Sequence, residues 1–284
     1  MDMWFYDEQT DGVKLGILVE KQLYSGISDY QKIDIIQTKQ YGKILVCDDD
    51  IVFTEKDEFI YREMMVHVPM AVHPSVRKVL VIGGADGGIV RELLKYDDIE
   101  QIDVVEQDKQ LIEVCATFFP KLAASLNNEK VHLYPQDGLR FIRTISKEYD
   151  LIIVDSPNPY GISQEGYFTK EFYGSCYHAL KDDGIMINQH ESPFYKDEAN
   201  QCQYMHKRII KSFPISKCYQ AFIPSYPSGH WLFGFASKKY HPLDDIQANI
   251  WNQRKIKTRY YATRLHQGVF ALPVYVEELL KDVE

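Results

Sequence analysis

One stretch of the chain, residues 79–92 with the sequence VLVIGGADGGIVRE, restricts its fold more than any other. Its first four residues are apolar and mostly β-branched, which is typical of a strand buried on both faces of a parallel sheet. The glycine-rich segment that follows permits a sharp turn and the close approach of a ligand to the backbone. Apolar residues then recur at helical spacing. Strand, glycine loop and helix together predict the first crossover of a nucleotide-binding α/β sheet.

A second apolar strand, QIDVVE, ends at Glu106, which lies 20 residues after Asp86 in the glycine loop. An acidic residue at this spacing, at the carboxyl end of a strand, is placed to bind the two hydroxyl groups of a ribose. A solvated strand end is the alternative interpretation of Glu106. The pattern therefore favours a ligand that contains a nucleoside.

Asp86 argues against a dinucleotide as that ligand. It lies inside the loop, where a pyrophosphate would bind, and a carboxylate at that place repels phosphate. The same carboxylate suits a cation. We therefore expect an adenosine that carries a positive group, such as a sulfonium nucleoside of the S-adenosylmethionine type, rather than NAD.

The spacing of apolar residues divides the chain into two predicted domains. Residues 1–55 are short alternating segments separated by turn residues, and they predict a small N-terminal antiparallel β-sheet domain built from hairpins. Residues 56–284 open with a predicted helix over residues 59–72, ended by Pro74, and then alternate strands with helices. This alternation predicts an α/β domain with a Rossmann-like, doubly wound parallel sheet.

Charge and composition argue against several classes of protein. The chain has 32 Lys and Arg against 41 Asp and Glu, a formal net charge of −9, which argues against a nucleic-acid partner. It contains no apolar run of membrane-spanning length, and its N-terminus lacks the pattern of a signal peptide. The five cysteines form no close metal-ligand pair, so reduced thiols are the simplest interpretation. We expect a cytoplasmic protein with no membrane partner.

Three further acids follow predicted strands, where ligand groups belong in a parallel sheet. Asp137, before Gly138, could accept a hydrogen bond from an adenine amine or could simply cap the next helix. Asp155 follows the run LIIV and precedes a segment stiffened by two prolines. It therefore suits a general base, with a turn-capping aspartate as the alternative. Glu191 follows the next strand.

The chain resembles the spermidine synthases, and more broadly the polyamine aminopropyltransferases, over essentially its whole length. The motifs that carry the resemblance are SDYQ at 28–31, EKDEFIYREM at 55–64, HP at 73–74, GGADGGIVRE at 83–92, VVEQD at 104–108, QDG at 136–138, DSPNP at 155–159, FTKEFY at 168–173, IPSYPSG at 223–229 and RLHQGVFALP at 264–273. In combination they are far more specific than a glycine loop.

The resemblance implies a reaction, a fold and an assembly. The donor would be decarboxylated S-adenosylmethionine as co-substrate, and the acceptor a polyamine, with putrescine as the default. The products would be spermidine and methylthioadenosine. No prosthetic group would be needed, and no metal either, because the sulfonium is already a good leaving group. The fold would be an N-terminal β-sheet domain on a domain similar to class I methyltransferases, assembled as a homodimer or homotetramer.

The resemblance also implies roles for individual residues. Asp155 would be the catalytic base that accepts the proton of the attacking amine. The donor would be bound by Gln31 as a gate over the nucleoside, Glu106 on the ribose, Asp137 and Gly138 on the adenine, and by Gly83 and Ile162. The aminopropyl ammonium would bind Asp86, and the acceptor would contact Tyr61, Arg62, Ser156, Asn158, Tyr226 and, at its far end, Glu191.

Three positions depart from the family pattern and put the acceptor in doubt. Asn158 replaces a second acid, Arg62 replaces a Gln, His or Asn, and Ile162 replaces a proline. Arg62 could form a helix-surface ion pair with Glu58, four residues earlier. If it faces the acceptor channel instead, its charge would disfavour short diamines and favour an acceptor that carries a carboxylate.

Other functions remain open at this stage. The acceptor could be agmatine, cadaverine or a carboxylated amine. A methyltransferase on the same fold would use intact S-adenosylmethionine, and Asp86 argues against it because its charge would repel the carboxylate of that donor. A non-catalytic polyamine-binding paralogue is the third alternative, and the presence of Asp155 argues against it.

Overall fold

Two separate β-sheets organise the part of the chain that the computed structural model describes, residues 2–155 and 165–281. The first sheet has five antiparallel strands that neighbour one another in chain order. They are β1 (Met3–Thr10), β2 (Val13–Ile27), β3 (Lys32–Thr38), β4 (Gly42–Cys47) and β5 (Asp50–Thr54). This arrangement confirms the predicted N-terminal antiparallel sheet. The predicted domain boundary at residue 55 stays a prediction.

The second sheet has seven strands in the order β11-β12-β10-β9-β6-β7-β8. Its strands are β6 (Lys78–Gly83), β7 (Gln101–Val105), β8 (Val131–Tyr134), β9 (Tyr149–Asp155), β10 (Leu180–Glu191), β11 (Ile215–Phe222) and β12 (His230–Ser237). The strands from β10 to β8 are parallel, and the chain order reverses between β6 and β9. This is the predicted Rossmann-like α/β fold, and the reversal marks the crevice where such sheets bind ligands.

One strand, β12, departs from the predicted all-parallel sheet. β12 runs antiparallel to both β10 and β11. The reason lies in the connection, because a short loop with one 3-10 turn over Pro227–Gly229 joins β11 to β12. Only antiparallel neighbours can be joined by such a hairpin, whereas parallel neighbours need a long crossover.

Helices cover both faces of the second sheet. They are α1 (Glu58–Met70), α2 (Gly88–Leu93), α3 (Lys109–Phe118), α4 (Pro120–Ala123), α5 (Gly138–Arg143), α6 (Lys170–Ala179), α7 (Lys196–Ile209), α8 (Ala248–Gln253), α9 (Thr263–Phe270) and α10 (Val274–Lys281). Helix α1 ends before the predicted residue 72, with Pro69 inside its last turn. Among the described helices, none is both long and apolar enough to cross a membrane.

The core joins the two sheets through helices α3 and α4. The parallel strands β6 and β9 are buried on both faces between two apolar clusters. A third cluster packs Ile35 and Phe53 of the first sheet against Phe119, whose ring centroid lies 4.7 Å from that of Phe53. This contact fixes the first sheet over the carboxyl edge of the second.

Candidate active site

A cavity of about 520 Å³ lies between the two sheets. Its walls include Leu45 and Val52 of the first sheet and Gly83 and Asp155 at the carboxyl ends of the central strands. Its volume falls within the range of small-molecule sites. The cavity therefore lies where the topology of the parallel strands predicts a ligand.

The glycine loop brings its backbone directly against Asp155. Gly83 pairs in register with Asp155 between the parallel strands β6 and β9, and its φ is +88°. A Cβ at position 83 would lie 2.0 Å from the carbonyl oxygen of Asp155. Since no L side chain fits either the space or this backbone conformation, glycine is required here.

Asp155 is held by a hydrogen bond from helix α1. The hydroxyl of Tyr61 donates to Asp155 Oδ1 across 2.9 Å, and it also lies 3.3 Å from Gln189 Oε1. Burial raises the pKa of Asp155 to about 6, while the charge of Arg62 opposes the rise and that of Asp86 adds to it. A carboxylate with this pKa is a stronger base than an exposed aspartate, and it stays ionised at neutral pH.

Asp86 and Arg62 form a buried ion pair on the cavity wall. Arg62 Nη2 lies 2.8 Å from Asp86 Oδ2, and their side chains are 2% and 8% exposed. The other carboxylate oxygen, Oδ1, accepts a hydrogen bond of 2.6 Å from the Gly88 amide. The carboxylate expected to hold an ammonium group thus already has a cationic partner.

Of the two alternatives for Arg62, the ion pair with Glu58 is wrong. Glu58 is bound instead by Arg91, whose two terminal nitrogens lie 2.9 and 3.1 Å from the carboxylate. Arg62 turns inward, with its guanidinium carbon 5.1 Å from the ring centroids of Phe53 and Tyr61. Burial opposes its charge, but the adjacent carboxylates, Asp86 first, outweigh burial and raise the pKa of Arg62 well above its ordinary value.

Glu106 and Gln31 both line the cavity near the end of β7. Glu106 Oε1 accepts a hydrogen bond of 2.8 Å from the Asp108 amide. Burial raises the pKa of Glu106 to about 7, although this backbone hydrogen bond opposes the rise. The Gln31 amide donates to Asp108 Oδ2 across 2.9 Å. Asp108 therefore ties the predicted gate to the predicted ribose site.

Asp137 is a helix cap in this structure. It accepts a hydrogen bond of 2.8 Å from the Leu139 amide at the start of α5, and neither Asp137 nor Gly138 lines the cavity within the described part of the chain. The hydroxyl of Tyr167, which does line it, lies 3.4 Å from Asp137 Oδ1. Asp137 thus positions a cavity residue, and its contact with adenine stays a prediction.

A second group of acids lines another part of the cavity, and we call it the distal acidic cluster: Asp50, Glu191 and Glu198. Glu191 has a φ of +67° at the irregular end of β10, and its side chain is buried. Its Oε1 and Glu198 Oε2 have no hydrogen-bond partner among the described residues. Burial, then the charges of Glu198 and Asp50, raise the pKa of Glu191 to about 8. A cation bound here would stabilise the ionised form.

Aromatic side chains form the wall beside these acids. The ring centroid of Tyr226 lies 6.0 Å from that of Tyr61 and 4.8 Å from that of Trp231, and all three residues line the cavity. The Tyr226 hydroxyl donates to the Val52 carbonyl across 2.8 Å, which anchors it to the first sheet. Aromatic faces beside carboxylates suit an organic ammonium group.

Sequence reasoning missed several residues of the cavity. Gln189, Trp231 and the acids Asp7, Glu8, Asp48, Asp50 and Glu198 all line it. Asp7, Glu8, Asp48 and Asp50 belong to the strands and turns of the first sheet and follow no parallel strand. A search for acids at the carboxyl ends of parallel strands could therefore not find them. Asp57 was missed as well, although its carboxylate accepts from the Ser225 amide and hydroxyl at 3.0 and 3.1 Å and so fixes the segment before Tyr226.

One group of described residues has the composition of a metal site. The potential ligand atoms of His190, His206 and Cys218 lie within 4.8 Å of one another, and all three residues are buried. None of them lines the cavity. Three predicted site residues, Ser156, Asn158 and Ile162, lie outside the described residues, so their roles stay predictions.

Two family models match the chain. The model of the spermine/spermidine synthase domain matches residues 58–247. The model of the spermidine synthase tetramerisation domain matches residues 3–55. Together they span most of the chain.

Full-length relatives agree with these matches. The polyamine aminopropyltransferases of Agathobacter rectalis and Lachnospira eligens are 56% and 55% identical to the chain, and each alignment covers 100% of this chain and 99% of the relative. A crystal structure of spermidine synthase in complex with the transition-state analogue AdoDATO superposes with a TM-score of 0.95 at 36% identity, covering 98% of this chain and 95% of that one. Spermidine synthase from Thermotoga maritima superposes with a TM-score of 0.93, also at 36% identity, covering 98% and 94%.

Proposed function

The chain belongs to the spermine/spermidine synthase family of polyamine aminopropyltransferases, and we propose that it transfers the aminopropyl group of decarboxylated S-adenosylmethionine to putrescine, giving spermidine and methylthioadenosine. The observation that carries this proposal is the position of Asp155. It is a partly buried carboxylate with a raised pKa, held by Tyr61 on the wall of a cavity that Glu106 and the distal acidic cluster also line.

The donor would bind across the carboxyl edge of the central strands. Glu106 would accept hydrogen bonds from the ribose hydroxyls, because its carboxylate lines the cavity at the end of β7. Gln31, held by Asp108, would close over the nucleoside. Gly83 lets strand β6 lie directly against the backbone of Asp155, which would place the base at the edge where the donor binds.

The acceptor would lie along the aromatic wall. Its reacting nitrogen would face Asp155 and Tyr61, and its distal ammonium would bind the distal acidic cluster, which buries two carboxylate oxygens without a described partner. Tyr226 and Trp231 would add cation–π attraction to the chain of the amine. A diamine matches this arrangement because its two nitrogens have different tasks. Arg62 lines the cavity, but Asp86 lies 2.8 Å from it and offsets the charge that would otherwise disfavour a short diamine.

The chemistry is a single displacement at carbon. Asp155 accepts a proton from the attacking amine, since an amine is a nucleophile only when neutral. The nitrogen attacks the carbon of the aminopropyl group that is bonded to sulfur. The N–C bond forms and the bond between that carbon and sulfur breaks. The electron pair of that bond goes to sulfur, which leaves as the neutral thioether of methylthioadenosine. The cavity contributes chiefly by orienting the two reactants.

An amine panel tests the proposal. The enzyme is incubated with decarboxylated S-adenosylmethionine and, separately, putrescine, cadaverine, agmatine, diaminopropane or spermidine, and the products are identified by mass. We expect methylthioadenosine and spermidine, with putrescine giving the highest kcat/KM. A higher kcat/KM for agmatine or cadaverine would replace the acceptor but keep the reaction.

Two other outcomes would contradict the reaction itself. S-adenosylhomocysteine formed from intact S-adenosylmethionine would indicate a methyltransferase. Amine binding without release of methylthioadenosine from any acceptor would indicate a non-catalytic polyamine-binding protein.

We also propose that the first sheet mediates assembly into a homodimer or homotetramer. Trp4, Tyr6 and Leu18 on β1 and β2 are large apolar side chains that are 43–57% exposed in the single chain, and Trp4 pairs in register with Leu18. Contiguous exposed apolar surface of this kind marks an interaction site. Light scattering coupled to size-exclusion chromatography would measure the oligomeric mass, and a monomer at micromolar concentration would contradict this assembly.

A further inference from the structure

The Arg62–Asp86 pair changes what the arm of the donor meets in the cavity. Asp86 alone would present a negative charge, which attracts the ammonium of decarboxylated S-adenosylmethionine and repels the carboxylate of the intact nucleoside. In this chain a guanidinium nitrogen lies 2.8 Å from that carboxylate, and both residues line the cavity. The pair has no net charge, so the repulsion that would exclude a carboxylate is offset.

The pair is a fixed part of the site. The guanidinium carbon lies 5.1 Å from the ring centroids of both Phe53 and Tyr61. A Cβ at position 88 would lie 2.6 Å from both Arg62 Nε and Asp86 Oδ1, so Gly88 provides the space the pair occupies. The side chain of Arg62 is 2% exposed and cannot swing into solvent without leaving a cavity behind.

The pair also retains hydrogen-bonding capacity. Arg62 Nε is buried and donates to no acceptor among the described residues. Because that atom has no accessible surface, a ligand oxygen can reach the guanidinium only at its terminal nitrogens, of which Nη2 is shared with Asp86. A charged hydrogen bond from a guanidinium to a carboxylate is stronger than one between neutral groups.

We propose, on the basis of the aminopropyltransferase function proposed above, that this enzyme also accepts intact S-adenosylmethionine as donor and transfers its 3-amino-3-carboxypropyl group to the amine. The arm of this donor ends in an ammonium and a carboxylate on the same carbon. The two charges match the two members of the pair, with the ammonium toward Asp86 and the carboxylate toward Arg62. The decarboxylated donor offers only the ammonium and leaves the guanidinium without a ligand.

The step balances in the same way as aminopropyl transfer. The amine nitrogen attacks the carbon of the 3-amino-3-carboxypropyl arm that is bonded to sulfur. The bond between that carbon and sulfur breaks, and its electron pair goes to sulfur. The proton of the amine goes to Asp155. Methylthioadenosine leaves, and the product is the amine extended by an aminopropyl group that keeps its carboxyl group. No oxidant, reductant or further reactant is needed.

The test compares the two donors on the unmodified enzyme. Purified enzyme is incubated with putrescine and either decarboxylated or intact S-adenosylmethionine, methylthioadenosine is quantified, and the amine product is identified by mass. Incubations without enzyme correct for spontaneous breakdown of the donor. We expect the intact donor to give a product heavier than spermidine by the mass of CO2, because a carboxyl group replaces one hydrogen.

Variants then assign the effect to Arg62. Arg62→Gln should lower kcat/KM for the intact donor relative to the decarboxylated donor by roughly 100-fold, as loss of one partner of a buried charge pair typically does. Arg91→Gln is the matched control, because it breaks another arginine–carboxylate pair nearby but does not line the cavity. Its ratio of the two donors should stay that of the wild type.

The outcomes separate this inference from the function on which it rests. Methylthioadenosine and spermidine from the decarboxylated donor, with no carboxylated product from the intact donor, would overturn the inference and leave the proposed function in place. An unchanged donor ratio in Arg62→Gln would overturn the role of Arg62. Methylthioadenosine from neither donor, with any amine, would overturn both proposals.

Discussion

Gly83 faces Asp155 in register across two parallel strands, so closely that a Cβ on the glycine would lie 2.0 Å from the aspartate's carbonyl oxygen. The contact places the glycine loop and the proposed base at one point of the sheet edge. It also makes position 83 intolerant of any side chain, because its φ of +88° disfavours L residues in addition to the steric clash.

Gly83→Ala should therefore destabilise the protein by roughly 2–5 kcal/mol, from overpacking and from backbone strain. Denaturant unfolding would measure the free energy of unfolding. Gly174→Ala is the matched control, since a Cβ there meets no atom within 4 Å and the residue lies inside helix α6. That variant should gain roughly 0.5–1 kcal/mol. Equal stability of the two variants would show that the contact at Gly83 is relieved easily.

Asp155→Asn should lower kcat by roughly 10²- to 10⁴-fold, because an amide cannot accept the proton of the attacking amine. Its affinity for methylthioadenosine, measured by calorimetry, should stay nearly unchanged, since the proposed nucleoside contacts lie at Glu106 and Gln31. Near-wild-type turnover in this variant would remove Asp155 from the role of base.

The pH dependence of the rate should have an acid limb set by Asp155. Burial raises the pKa of Asp155 to about 6, and the base is lost as the pH falls through that value. Because the hydrogen bond from Tyr61 favours the ionised form, Tyr61→Phe should raise this pKa and move the limb of kcat/KM to higher pH. Tyr226→Phe is the control, since its hydroxyl binds the Val52 carbonyl. A limb that stays in place in Tyr61→Phe would assign it to another group.

Glu106→Gln should weaken the binding of methylthioadenosine by about 1.5–3 kcal/mol, the range for hydrogen bonds to a charged group. The wild-type affinity should also rise with pH through about 7, because burial raises the pKa of Glu106 to about that value and the ionised form is the better acceptor. The variant should lose this dependence on pH. Calorimetry at several pH values measures both effects, and an unchanged affinity would mean that Glu106 does not bind the ribose.

Glu191→Gln should raise the KM for putrescine about tenfold or more, with a smaller change in kcat, because it removes a charge from the distal acidic cluster. The wild-type KM should fall as the pH rises through about 8, the value to which burial, Glu198 and Asp50 raise the pKa of Glu191. Glu171→Gln, an exposed acid of helix α6, is the control. If Glu191→Gln lowered kcat without any change in the KM for putrescine, Glu191 would have no role in binding the acceptor.

Local patterns in the sequence predicted the elements of the parallel sheet and the acids at its carboxyl edge. The runs of β-branched residues in β6 and β9 allow only buried strands, and the glycine loop allows only a tight turn before α2. Asp86, Glu106 and Asp155 could be found in this way, because their position relative to a strand is fixed by the chain itself. The antiparallel direction of β12 was not predicted, because the spacing of apolar residues does not reveal the direction of a strand.

Pairings between distant segments were decided only by the tertiary structure. The spacing of four residues on a helix suggested that Glu58 could pair with Arg62. In the structure, two nitrogens of Arg91 bind Glu58 instead. Arg62 binds Asp86, 24 positions away in the chain. The difference is one of desolvation. A buried guanidinium needs a buried carboxylate, which comes from the loop between β6 and α2, and one of its aromatic neighbours, Phe53, comes from the first sheet. Helix α1 meets these segments only in the folded chain. The sequence alone thus determined the fold class and the acids at the carboxyl edge of the sheet, whereas the ion pair that neutralises Asp86 was determined by packing.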